Sequence, residues 1–231
     1  MKHLMILVGL LIPSLIFCLT IRDLQYTQDA GFDGTYPSSY LNQQVNVEGV
    51  VIATDFLNNQ FVISETQGGP WSAISVISSN TSVEPGQYVE IEGRVSEFHG
   101  MTCIRLNRIQ ILREHHSLPH PYSVTLQELN NNECYESVLV KVNNISMTKS
   151  HKIEFPYSIS NNSCVSYIGN GFNYLKENSR KSLNKNLMSI TGIVSFSNNR
   201  FSLNPRDDDD FVYHTTGSQA SSWGRIKSLY R

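Results

Sequence analysis

Gln44-Val45-Asn46-Val47-Glu48-Gly49-Val50-Val51 alternates apolar and polar residues up to a glycine and then runs into a valine pair. Strict alternation puts one side of a strand on a core and the other in water. The same template returns twice, as Tyr88-Val89-Glu90-Ile91-Glu92-Gly93-Arg94-Val95 and as Leu187-Met188-Ser189-Ile190-Thr191-Gly192-Ile193-Val194. A glycine inside a strand marks a bulge or a sharp bend. Long strands bent at a glycine are how small barrels turn their corners, and five such strands closing on themselves make an OB-type barrel.

Working outward, Gln60–Glu65, Ala73–Ile77, Cys103–Leu112, Ser137–Met147, Ile153–Ile159, Leu187–Ser197 and Arg200–Leu203 also read as strands. Asn58-Asn59, Gly68-Gly69-Pro70, Pro85-Gly86, Asn161-Asn162 and Asn198-Asn199 punctuate them as turns. Helical periodicity is confined to two short stretches, Leu126–Asn130 and Phe172–Lys181. The expected fold is therefore all-β, with two tandem OB-fold-like five-stranded barrels. The expected divisions are a signal peptide over 1–20, a first barrel with its N-terminal extension over 21–113, and a linker over 114–123 carrying His115, His116 and His120. A second barrel over 124–213 and a tail over 214–231 complete the chain.

The compartment is read from the start of the chain. Lys2 and His3 precede an uncharged, mostly apolar run from Leu4 to Thr20. That is the pattern of a secretory signal peptide, and no second apolar stretch of spanning length follows it. A secreted, periplasmic or cell-surface protein is expected, with no transmembrane segment in the mature chain. Beyond the leader stand Cys103, Cys134 and Cys164, an odd number. Cys134 and Cys164 are the candidate disulfide, with burial of all three thiols as the alternative.

The 231 residues carry 18 basic and 20 acidic groups, a net charge of −2, so the chain as a whole is no polycation for nucleic acid. Asp23-Leu24-Gln25-Tyr26-Thr27, Tyr36-Pro37-Ser38-Ser39-Tyr40-Leu41, Gly69-Pro70-Trp71-Ser72 and Pro85-Gly86-Gln87-Tyr88-Val89 resemble successive parts of the OB-fold-like domains of secreted bacterial nucleases and related exported proteins. Glu133-Cys134-Tyr135-Glu136-Ser137 resembles the entry to a second copy, and Asn204-Pro205-Arg206-Asp207-Asp208-Asp209-Asp210-Phe211 its close. The resemblance implies accessory binding modules without the nuclease catalytic domain. Ala73 and Ser137 depart from it, standing where glycine is usual.

No catalytic constellation, cofactor loop or metal-ligand spacing emerges. The Asp207–Asp210 run lacks the spaced pattern of a calcium loop, and the linker histidines lie between prolines. Binding is the expected role, with single-stranded nucleic acid or a polysaccharide as partner. Trp71, Phe98 and His99 are the candidate stacking platforms, and Arg94, Arg105 and Arg108 the candidate charges. The basic, partly apolar C-terminal tail is a candidate docking element for an envelope protein. The competing readings are a structural or assembly protein of the cell envelope and a hydrolase with an unfamiliar site.

Overall fold

The computed structural model describes residues 19–32, 34–79, 81–152, 154–172 and 185–214. Residues 1–18 of the expected signal peptide, the part of the expected Phe172–Lys181 helix beyond Phe172 and the expected tail beyond His214 lie outside the described residues.

Strands β1 (Gln44–Phe56), β2 (Gln60–Ser64), β3 (Ala73–Ile77), β4 (Tyr88–Phe98) and β5 (Met101–Arg113) form a closed barrel in the order β1-β2-β3-β5-β4. All its pairings are antiparallel except β3 with β5. In β1, Val45 and Val47 are buried while Gln44, Asn46 and Glu48 are exposed, as alternation requires. The alternation ends at Val50–Ala53, where four residues in a row are buried. Val51 faces the barrel interior, whereas Ile52 and Ala53 join the core beneath the second sheet. A strand covered on both sides loses its polar face.

A short helix, α1 (Ile21–Gln25), plugs this barrel. Thr20 caps it in a reciprocal box with Asp23, and its Ile21 and Leu24 are fully buried in the barrel core with Ile63, Ile74 and Ile91.

The second unit contains β6 (Tyr122–Val124), α2 (Leu126–Asn131), a 3-10 turn at Glu133–Tyr135, β7 (Leu139–Lys149), β8 (Tyr157–Ser160), β9 (Val165–Ile168), β10 (Lys185–Ser197), β11 (Arg200–Asn204) and β12 (Phe211–Tyr213). Its pairings run β7-β8-β9-β11-β10 and return from β10 to β7; within that circuit only β9–β11 is parallel, and β6 adds a second parallel pairing at β7. Order and sense of the strands are those of the first barrel. The parallel seam is one residue pair long, Leu203 opposite Ile168. β6 and β12 extend this circuit at β7 and β10.

The template glycines sit where backbones approach most closely. A Cβ at Gly93 would lie 2.4 Å from Ile104 Cγ2 and 2.5 Å from the Arg105 carbonyl oxygen, beside a register shift between β4 and β5. One at Gly192 would lie 2.6 Å from the Asn204 carbonyl oxygen, and one at Gly49 3.0 Å from that of Ser64.

The two units share one hydrophobic core. Ile52, Phe56, Val62 and Met101 of the first pack with Leu139, Ile193, Leu203 and Phe172 of the second. Backbone bonds cross the junction as well: Leu57 N–H to the Gly171 carbonyl at 2.7 Å and Trp71 N–H to the Cys134 carbonyl at 2.7 Å. Arg206, held by Asp210 through bonds of 2.7 to 3.0 Å, reaches the Ile52 carbonyl at 3.3 Å. Asp210 is thus the structural member of the acidic run, while Asp207 caps the following 3-10 turn.

The segment expected as a linker lies against the first barrel. His116 N–H bonds the Gly86 carbonyl at 2.7 Å, its ring stacks 5.6 Å from Tyr88, and Pro119 is buried beside Gly68. Its end is already strand β6. Among the described residues no helix is long and apolar enough to cross a membrane.

Candidate functional site

The outward face of β1, β4 and β5 carries most of the sequence-selected charges. Arg94, Arg105 and Arg108 are all exposed. Arg94 and Arg105 are direct cross-strand neighbours, while Arg108 stands opposite Glu92. Around them the face is mixed. Asn46 donates to Glu90 at 2.8 Å, Asn107 to Gln44 at 3.2 Å, and the Tyr88 hydroxyl to Glu48 at 2.8 Å. Acids and bases interleave, so the face lacks the continuous positive track that a phosphate backbone needs.

One groove, about 570 Å³ in volume, brings together two of the six candidates, Phe98 and Arg105. The β1–β2 turn (Asn58, Asn59), Gln60, Asn107 and the stretch leaving β3 (Ser78, Ser79, Thr81) complete its polar wall. The turn is made by Leu57, Asn58 and Asn59, all at positive φ, where asparagine is among the most tolerant side chains. A second groove of about 370 Å³ continues along the other side of the same turn, lined by Thr54, Asp55, Asn59, Gln60, Ser78 and Ser82 among others.

Trp71, Arg94, His99 and Arg108 do not line the Phe98–Arg105 groove. Trp71 is half-buried at the junction, with its ring edge-on to Tyr26 at 5.5 Å. The Cys134 carbonyl holds its backbone. His99 and Gly100, both at positive φ, form the two-residue turn between β4 and β5. The His99 ring lies edge-on to Phe98 at 4.4 Å, and Gly100 abuts Phe196 of β10. The neutral amides of the groove escaped the sequence reading, which looked for aromatics and cations. The Asn58-Asn59 turn was the available signal.

Cys103, Cys134 and Cys164 are free thiols, so the expected Cys134–Cys164 bridge is absent. Cys103 is buried, and its sulfur donates to the Ser96 carbonyl at 3.1 Å; burial pushes this thiol up to about 11. Cys164 instead accepts from Asn130 of α2 at 3.3 Å.

A separate acidic cluster sits at the junction. Thr102 N–H donates to Glu136 Oε1 at 2.9 Å, and the Thr102 hydroxyl donates to Glu97 Oε1 at 2.8 Å. Glu136 is 3% exposed. Burial first, then the carboxyls of Glu133 and Glu97, drive it well above the usual carboxylate range. Glu133 is half-buried and is pushed up to about 8 by burial and by Glu97. Among the described residues no three His, Cys, Asp or Glu side chains gather as metal ligands.

No family model matches the chain, and no curated protein matches it. Among solved structures it is similar to the structure of the hypothetical protein ygiW from E. coli, at 18% identity over 31% of this chain and 77% of that chain, with a TM-score of 0.26.

Proposed function

We propose that this is an exported, non-catalytic binding module that holds an extended polar polymer, an oligosaccharide in preference to a single-stranded nucleic acid, at the β1–β2 turn of the first barrel. The observation that carries this reading is the lining of the Phe98–Arg105 groove. Asn58, Asn59 and Asn107 offer exposed amides, Ser79 an exposed hydroxyl and Phe98 a ring, while buried Gln60 is engaged by Ser75 and the Ser78 and Thr81 hydroxyls bond each other. Sugar hydroxyls need such paired donors and acceptors, and a ring supplies the apolar contact that fixes orientation.

Titration of the full chain against a panel of neutral and acidic oligosaccharides, with single-stranded DNA at low and high salt alongside, tests it. A glycan is expected to bind, and Phe98→Ala is expected to weaken it about tenfold. DNA binding that falls steeply with salt and is lost in Arg94→Ala would move the assignment to nucleic acid. Binding of neither ligand would sink the module reading.

One observation favours the alternative of a structural or assembly protein of the envelope. Phe56, Leu57 and Gly100, at the barrel turns, are already occupied by contacts with the second unit. The docking role of the tail in that reading falls on residues outside those described.

A further inference from the structure

We propose that Glu97, Glu133 and Glu136 form a proton-linked latch between the two β units: protons held among these carboxyls keep the junction closed, and their loss loosens it. The inference is independent of the glycan reading.

The geometry is that of an interface. Glu97 belongs to β4 and Thr102 to β5 of the first barrel, while Glu133 opens the 3-10 turn ahead of β7 in the second unit and Glu136 caps that turn's end. Thr102 ties the two sides, giving its amide to Glu136 and its hydroxyl to Glu97. Glu97 Oε1 also accepts the Ser38 amide at 3.3 Å. Glu136 Oε2 is buried and meets no donor among the described residues. A carboxylate left so would pay the full cost of a buried, uncompensated oxygen. Protonated, that oxygen becomes a donor, and the Glu133 carboxyl is placed to accept.

Among the described residues the charged groups acting on Glu133 and Glu136 are carboxyls, Glu97 and each other. On β5 the Cys103 thiol also feels Glu97 and Glu136, with Arg105 acting on that thiol in the opposite sense. On the turn itself Cys134 and Tyr135 are neutral neighbours, and Glu128 of α2 adds a further negative charge acting on them.

Both glutamates are shifted upward from the ordinary value of 4.5, so the closed junction binds protons that the separated groups release. The favourable contribution is complete below about 4.5 and is lost as pH rises, for Glu133 through about 8. Each proton released on opening changes the opening constant by up to about tenfold per pH unit.

Hydrogen–deuterium exchange of the full chain between pH 5 and 9, corrected for the intrinsic base-catalysed rate, reads this directly. Peptides covering 71–76 and 101–104 report the junction, and the β10–β11 hairpin serves as internal reference. In the wild type, junction protection is expected to fall several-fold per pH unit across pH 5 to 8 while the reference holds. Glu136→Gln, which keeps the shape and mimics the protonated acid, is expected to stay protected at pH 9, and Glu154→Gln, an exposed control, to behave as the wild type. Glu133→Gln, at a half-buried position, gives the same readout should the deeper substitution fail to fold. A pH-independent junction, a glutamine variant with unchanged pH dependence, or parallel loss of protection in the reference hairpin would each overturn the latch.

Discussion

Ser137 has φ +61, is fully buried, and its hydroxyl finds no partner among the described residues. A side chain in the left-handed region is strained by about 1 kcal/mol, and a buried unpaired hydroxyl adds to that. A glycine at this position would carry neither cost. Ser137→Gly is expected to raise stability by about 1 kcal/mol, read as a higher denaturant midpoint at unchanged slope; a lower midpoint would contradict the strain. Trp71 teaches the complementary lesson. Its φ of +67 and its bond to Cys134 depend on a partner more than sixty residues away in the chain. No local pattern in the sequence carries that information, so its placement at the junction was beyond a reading of turns and alternation.

At the scale of elements, the glycine-bent strands were readable because their signal is local: period two, then a residue without a side chain. Gly93 makes this testable. A methyl there meets the Arg105 carbonyl, which is backbone and cannot turn aside, so Gly93→Ala is expected to destabilise by about 1–3 kcal/mol, measured by thermal melting; a neutral result would mean that β4 and β5 are not in this register. Short elements were harder. α1 was missed because five residues do not display a helical period, although Thr20 and Asp23 supplied a capping pair. β9 and β12 were missed because four and three residues cannot show alternation convincingly. The candidate site divided in the same way. Strand register puts Arg94 beside Arg105, whereas the groove joining Phe98 to Asn58 and Ser78 exists only once the barrel has closed.

For the whole molecule, the shared core decides how the two units behave. Ile52, Phe56, Val62 and Met101 are buried only if the second unit is in place, so calorimetry at pH 5 is expected to show one unfolding transition for both; two resolved transitions would mean that the units are independently stable. The circuit of the second unit has a further consequence, for the order in which the chain becomes native. Its hairpins, β7–β8, β8–β9 and β10–β11, join near neighbours in sequence, but β7–β10 and the single Ile168–Leu203 contact close loops of about forty residues. Loop closure of that length must precede its reward, which makes the seam a late and slow event. Until then β9 and β11 are open edges, free to pair with the same strands of another nascent chain. Refolding yield should therefore depend on protein concentration through this one seam, and the thinnest pairing among the described strands becomes the point of greatest exposure while the protein is being made.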